Sequence, residues 1–120
     1  MDITQVRALI DRQARAWERA DIDVCVADFA ADALFISPGG RWQGQEAIRA
    51  TVKGFFAGAR DVKVEITRVI VDGNQGAVEW TWSEFRLSDG KRHVAEDAII
   101  FELQDNKIVY WREYFDMATF

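Results

Sequence analysis

Two carboxylates near the C-terminal end of the chain, Asp97 and Glu113, have the chemistry and the spacing of a proton-transfer pair. They lie in AEDAIIFELQDNKIVYWREYF, where two runs rich in β-branched and aromatic residues flank the polar triplet Gln104-Asp105-Asn106. A three-residue loop at that triplet pairs Leu103 with Lys107 and, by counting, Phe101 with Val109, Ile99 with Trp111, and Asp97 with Glu113. A two-residue loop would set Glu102 against Val109 and Ala98 against Glu113, mixing buried and solvated faces, so the longer loop is preferred. Residues directly opposite each other have Cβ atoms roughly 4.5–5.5 Å apart. Two acids at that distance on an apolar face cannot both ionise cheaply. One should hold a proton near neutral pH, the state a general acid–base pair needs. The alternative is a solvated pair at an open rim, bridged by Arg86, Arg92 or Arg112.

The elements that must position this pair are legible from periodicity. Asp2 with Gln5 reads as a capping box that opens a helix, along which Val6, Leu9, Ile10, Gln13 and Trp17 share one face. Gln13 is the polar member of that stripe, pointing either into a cavity or to water at the stripe's edge. Asp21 caps a second, short helix whose Ile22, Cys25, Val26 and Phe29 share a face; Cys25 there reads as a small core residue. Leu34 to Ser37 is a short strand closed by Pro38-Gly39, a type II turn pair. A third helix runs from Gln45 to Phe56, with Gly58 suited to its C-terminal cap, and Trp42 before it sits at a pocket mouth or at the core edge.

From Asp61 the period changes to alternation, and the phase slips near Arg68, which predicts a bulge. A long strand runs from about Ala77 to Ser88, and Asp89-Gly90 is a two-residue hairpin signal. That loop puts Trp82 opposite Asp97 and Trp80 opposite Ile99. Both hairpins then send one set inward, including Trp80, Trp82, Glu84, Asp97, Ile99, Phe101, Trp111 and Glu113. Helices on the inner face of a strongly curved antiparallel sheet make an α+β cone with an apolar interior. The ligand-facing candidates are Gln13, Trp17, Trp42, Trp80, Trp82, Ile99, Phe101 and Trp111, which suit a small apolar or aromatic molecule.

Composition excludes other classes. At 120 residues the chain is one domain, and 49% hydrophobic content places it among globular proteins. A net charge of -5 without a basic patch argues against nucleic acid and anionic membrane surfaces. One cysteine and one histidine cannot build a structural zinc site, and no phosphate-cradling glycine loop precedes a helix. No cofactor and no metal are expected. His93 with the two acids falls short of a full ligand set and reads as a rim residue, able to orient Glu84. No secretory signal opens MDITQVRALIDR, so a cytoplasmic protein is expected. Outer-face positions Phe85, Ile100, Tyr110 and Tyr114 are apolar enough to predict a homodimer.

The order of elements, the passage FAADALFISPGGRWQGQEAIRA and the ending KIVYWREYFDMATF resemble the SnoaL-like branch of the NTF2-like superfamily over essentially the whole chain. The resemblance implies a cone-shaped α+β (cystatin-like) fold, commonly dimeric, with activities ranging from isomerase, cyclase and hydrolase to none. Against the ketosteroid isomerases, the general base falls at Ser37, the oxyanion-hole tyrosine near Gln13 and the protonated aspartate near Ile99, so that acid–base set is missing here. Against limonene epoxide hydrolase, Glu113 stands where a catalytic aspartate is kept, while the arginine and second aspartate align near Trp80 and Trp82. Three functions follow as expectations: proton-transfer catalysis on a small molecule, binding without turnover, or an association module.

Overall fold

The computed structural model describes all residues 1–120. Helix α1 (Ile3–Glu18) and the short α2 (Ile22–Ala27) come first, followed by strands β1 (Phe29–Ser37) and β2 (Gly40–Gln43). Helix α3 (Gln45–Gly58) then leads into the long strands β3 (Ala59–Asp72), β4 (Gln75–Arg86) and β5 (Lys91–Gln104), and into β6 (Lys107–Tyr114). The helices pack against a curled, open sheet in the order β2-β1-β6-β5-β4-β3. The sheet is mixed rather than antiparallel, because β1 runs parallel to β6. No local signal announces that pairing, since its partners are far apart in the chain.

Local chemistry accounts for the element ends. The capping box on α1 is complete: Gln5 N donates to Asp2 Oδ1 at 2.8 Å, and Asp2 N donates to Gln5 Oε1 at 2.9 Å. Asp21 caps α2 by accepting from Val24 N at 3.2 Å. Gly44 precedes α3 at φ 89, a left-handed value that a side chain would strain, and its N–H donates to Ala33 O at 2.7 Å. Gly39 does not adopt the positive φ of a type II turn; instead Ser37 Oγ accepts from Gly39 N at 3.1 Å. The edge of β3 is covered by α1, where Arg15 Nη2 donates to Val64 O at 2.8 Å and Glu18 Oε2 accepts from Val64 N at 2.9 Å.

Both hairpins keep the predicted facing but shift register by two residues. Asp105 (φ 51) and Asn106 (φ 64) are both left-handed, so the β5–β6 turn has two central residues and pairs Gln104 with Lys107. The ladder then slips, from Leu103↔Ile108 to Glu102↔Tyr110, leaving Val109 as the extra residue of a bulge. That bulge restores the parity which a plain two-residue loop would have lost. Phe101 therefore faces Trp111, and Ile99, not Asp97, faces Glu113. In the β4–β5 hairpin only Gly90 is left-handed (φ 66), so a two-residue turn over Asp89-Gly90 does not form. The loop widens to Leu87–Gly90, pairing Arg86 with Lys91 and placing Asp97 opposite Trp80 and Ala95 opposite Trp82. The bulge expected near Arg68 is present, between the pairs Ile66↔Trp80 and Arg68↔Glu79.

Candidate active site

The concave face of the sheet divides into two parts. Toward one end Val78, Ile99, Phe101, Leu103, Ile108 and Trp111 are packed solid with Val6, Leu9 and Ile10 of α1. Toward the other end the helices stand off and leave a cavity of about 410 Å³. Trp17 from α1, Phe35 and Trp42 from the β1–β2 hairpin, Phe55 from α3, Trp82 from β4 and Phe115 supply most of its apolar wall. Six polar side chains line it: Ser37, Thr51, Glu84, Arg86, Asp97 and Glu113.

Each of the three carboxylates in this wall accepts an indole N–H. Trp80 Nε1 donates to Asp97 Oδ2 at 3.1 Å, Trp82 Nε1 to Glu84 Oε1 at 2.9 Å, and Trp111 Nε1 to Glu113 Oε2 at 3.0 Å. Asp97 is only 5% exposed, and its Oδ1 is buried with no donor to accept from. Burial pushes the Asp97 carboxyl strongly up from its ordinary value; the charge of Glu113 and a hydrogen bond with Glu113 push it further. The Trp80 N–H and the backbone of Tyr114 offset only part of this rise. A proton on Asp97 fits these conditions together, because a protonated carboxyl can donate to Glu113, which two carboxylates cannot do for each other. The two acids are thus neighbours on a diagonal of the sheet rather than cross-strand partners. No arginine bridges them. Arg86 pairs with Glu84, Arg92 donates to Ser83 Oγ and Asp61 O, and Arg112 lies over the Tyr114 ring.

Of the ligand-facing candidates, Trp17, Trp42 and Trp82 line the cavity. The other five do not. Trp80, Ile99, Phe101 and Trp111 are closed into the core, where Trp80 and Trp111 meet the cavity only through the carboxylates they hold. Gln13 is fully buried but belongs to a structural knot: its Nε2 donates to Cys25 O at 3.0 Å and to Asp28 Oδ2 at 3.2 Å, beside the Arg12–Asp28 ion pair. Cys25 is buried, and burial pushes its thiol up to about 12, which leaves it inert as a nucleophile. Ser37 lines the cavity, while its oxygen is engaged by the turn.

Sequence reasoning passed over Thr51, Arg86, Met117 and Phe120 as cavity residues. Thr51 stands four residues before Phe55 on the same helix face, and Arg86 continues the alternation of Trp80, Trp82 and Glu84, so periodicity contained both. Met117 and Phe120 lie beyond β6 in a turn with no periodicity to read. That segment is held by β5 and β4: His93 Nδ1 lies 2.7 Å from Phe120 O, and the Arg86 guanidinium lies 4.3 Å over the Phe120 ring. His93 faces Glu84 in the ladder, but its other nitrogen lies 2.7 Å from Asp89 Oδ2 and it does not orient Glu84.

Known proteins agree with this architecture. Three solved structures share the fold, each at low sequence identity. A protein with a ketosteroid isomerase-like fold from Catenulispora acidiphila, solved in complex with trimethylamine, is 18% identical with a TM-score of 0.86, covering 92% of this chain and 87% of that one. An epoxide hydrolase of the limonene epoxide hydrolase-like kind from M. tuberculosis is 22% identical with a TM-score of 0.83, covering 97% and 86%. An NTF2-like protein of unknown function from Burkholderia pseudomallei is 16% identical with a TM-score of 0.86, covering 98% and 94%. Comparison with curated proteins gave no match. The sequence profile of the SnoaL-like domain matches residues 6–111, and the chain therefore belongs to the SnoaL-like domain family.

Proposed function

We propose that the cavity binds an apolar small molecule and that Asp97 and Glu113 move a proton on it, in an isomerisation, cyclisation or hydrolysis. The observation that carries this reading is the carboxyl pair itself, buried Asp97 beside Glu113 in the wall of an aromatic cavity, where burial and the charge of Glu113 push Asp97 toward its protonated form. When a substrate enters, the Asp97 O–H can turn from Glu113 to a developing oxyanion, and Glu113, which lines the same cavity, is then free to accept a proton from the substrate. The indole N–H groups of Trp80 and Trp111 fix both carboxyl groups in orientation. Positioned acid–base groups of this kind contribute on the order of 10²–10⁴-fold to rate. The name of the epoxide hydrolase relative supports a small-molecule reaction without selecting one.

The test uses 2-tetralone, an apolar bicyclic ketone, in D₂O. The protein should accelerate exchange of its α-protons as followed by NMR, and Asp97→Asn and Glu113→Gln should each lower that acceleration about 100-fold. Acceleration that survives in Glu113→Gln would remove the base from the scheme.

We also propose that the convex face of the sheet pairs with a second copy of the chain. Ile100 and Tyr114 are 43% and 48% exposed there, large apolar side chains on a face that would otherwise be wet. Light scattering should report twice 13.7 kDa; a species of 13.7 kDa alone at micromolar concentration rejects the dimer.

A further inference from the structure

Arg86 is the one cation among the cavity-lining residues. Its Nε donates to Glu84 Oε2 at 3.1 Å, and the other Glu84 oxygen accepts the Trp82 indole N–H at 2.9 Å. Glu84 is therefore fully engaged, and with its side chain 6% exposed it is a fixed buried clamp on one edge of the guanidinium. The Phe120 ring covers one face of the group at 4.3 Å. What is left is the far edge. Nη1 and Nη2 have no acceptor within the protein, although the Arg86 side chain is only 29% exposed. A guanidinium carries five N–H donors, and its terminal pair forms a fork that matches the two oxygens of a carboxylate.

We propose that the ligand of this cavity carries a carboxylate, received end-on by Arg86 Nη1 and Nη2, on an apolar body that lies against Trp17, Trp42 and Phe55. This rests on the reading of the cavity as a small-molecule site and adds a polarity to it. Asp97 stands opposite Trp80 in the sheet, and Arg86 lies six residues further along the same strand, about 20 Å at 3.3 Å per residue. The anionic end of a ligand is repelled by Glu113 and attracted by Arg86, so its neutral, reactive end is the one turned toward the acid pair. Glu84 acts as a positioning residue, since it reaches the ligand only through Arg86.

The probes are 2-naphthoate and its neutral counterpart 2-naphthamide, titrated calorimetrically into the full chain at pH 7. The naphthoate should bind at least 10-fold more tightly, and Arg86→Gln should bring the two affinities together. Equal affinities in the wild type, or a preference that survives Arg86→Gln, overturn the proposal. Arg86→Lys keeps the charge and removes the fork, so an undiminished preference there also overturns it; this variant and the wild-type comparison decide the matter should Arg86→Gln not fold. Asp97→Asn should keep the naphthoate preference while losing tetralone exchange, which separates failure of the anchor from failure of the proton-transfer reading. Failure of both probes to bind at millimolar concentration overturns the binding site and the anchor together.

Discussion

Glu84 and Asp97 face one cavity from equally sheltered positions, each 5% exposed and each accepting an indole N–H. Their second partners differ. Glu84 meets the guanidinium of Arg86 and completes an ion pair, whereas Asp97 meets another acid, Glu113, and is pushed toward its protonated form. Burial is the larger cause of the rise at Asp97 and Glu113 adds to it, whereas the equally buried Glu84 is matched with a cation. The same carboxylate–indole unit thus stands beside a cation at one end of the cavity and beside a second acid at the other.

The largest expected consequence of that difference is a pH dependence of stability. Asp97 has a folded pKa above its unfolded value of about 4, so the folded state binds more protons than the unfolded state between the two values. Stability must then fall as pH rises through that window, with a limiting slope of about 1.4 kcal/mol per pH unit for one proton. Asp97→Asn imitates the protonated acid, with an N–H for Glu113 and an oxygen for Trp80, and should flatten this slope in urea denaturation. An unchanged slope would assign the effect to another group.

The Glu84–Arg86 end should respond differently. Arg86→Met leaves Glu84 buried without its cation, and the expected loss is about 2 kcal/mol at pH 7, between the values for exposed and buried pairs. Losing less than about 0.5 kcal/mol would mean that Glu84 reaches water and that the two carboxylates are not comparably buried. The smallest effect is expected at a cavity residue bonded to neither carboxylate. Ser37→Ala removes only the local acceptor for Gly39 N and should cost about 0.5–1 kcal/mol, with no change in the Asp97 titration.

The sequence carried the facing of these residues better than their neighbours. Alternation along β4, β5 and β6 places Glu84, Asp97 and Glu113 on the inner face, and both register corrections are shifts of two, which leave facing intact. Which residues stand opposite each other depends instead on φ at single turn positions. Asp105 and Asn106 accept left-handed φ, as such side chains do, while Asp89 uses its carboxylate to accept from Lys91 N and declines it. The division of the inner face into core and cavity was out of reach for another reason. Trp80, Ile99, Phe101 and Trp111 look like cavity residues in a strand pattern, and only tertiary packing with side chains such as Leu9, Ile10 and Phe29 closes them into the core. The parallel β1–β6 pairing, the four-residue β2 and the segment carrying Met117 and Phe120 have no periodic signal of their own.

The central claim is that Asp97 holds a proton at neutral pH because it is buried beside Glu113. Carboxyl ¹³C NMR of selectively labelled aspartate measures this directly. Asp97 should keep the chemical shift of a protonated acid through pH 7, and in Glu113→Gln its midpoint should move down while staying above the ordinary value, since burial remains. Titration of Asp97 near the reference value of about 4 in the wild type would contradict the account.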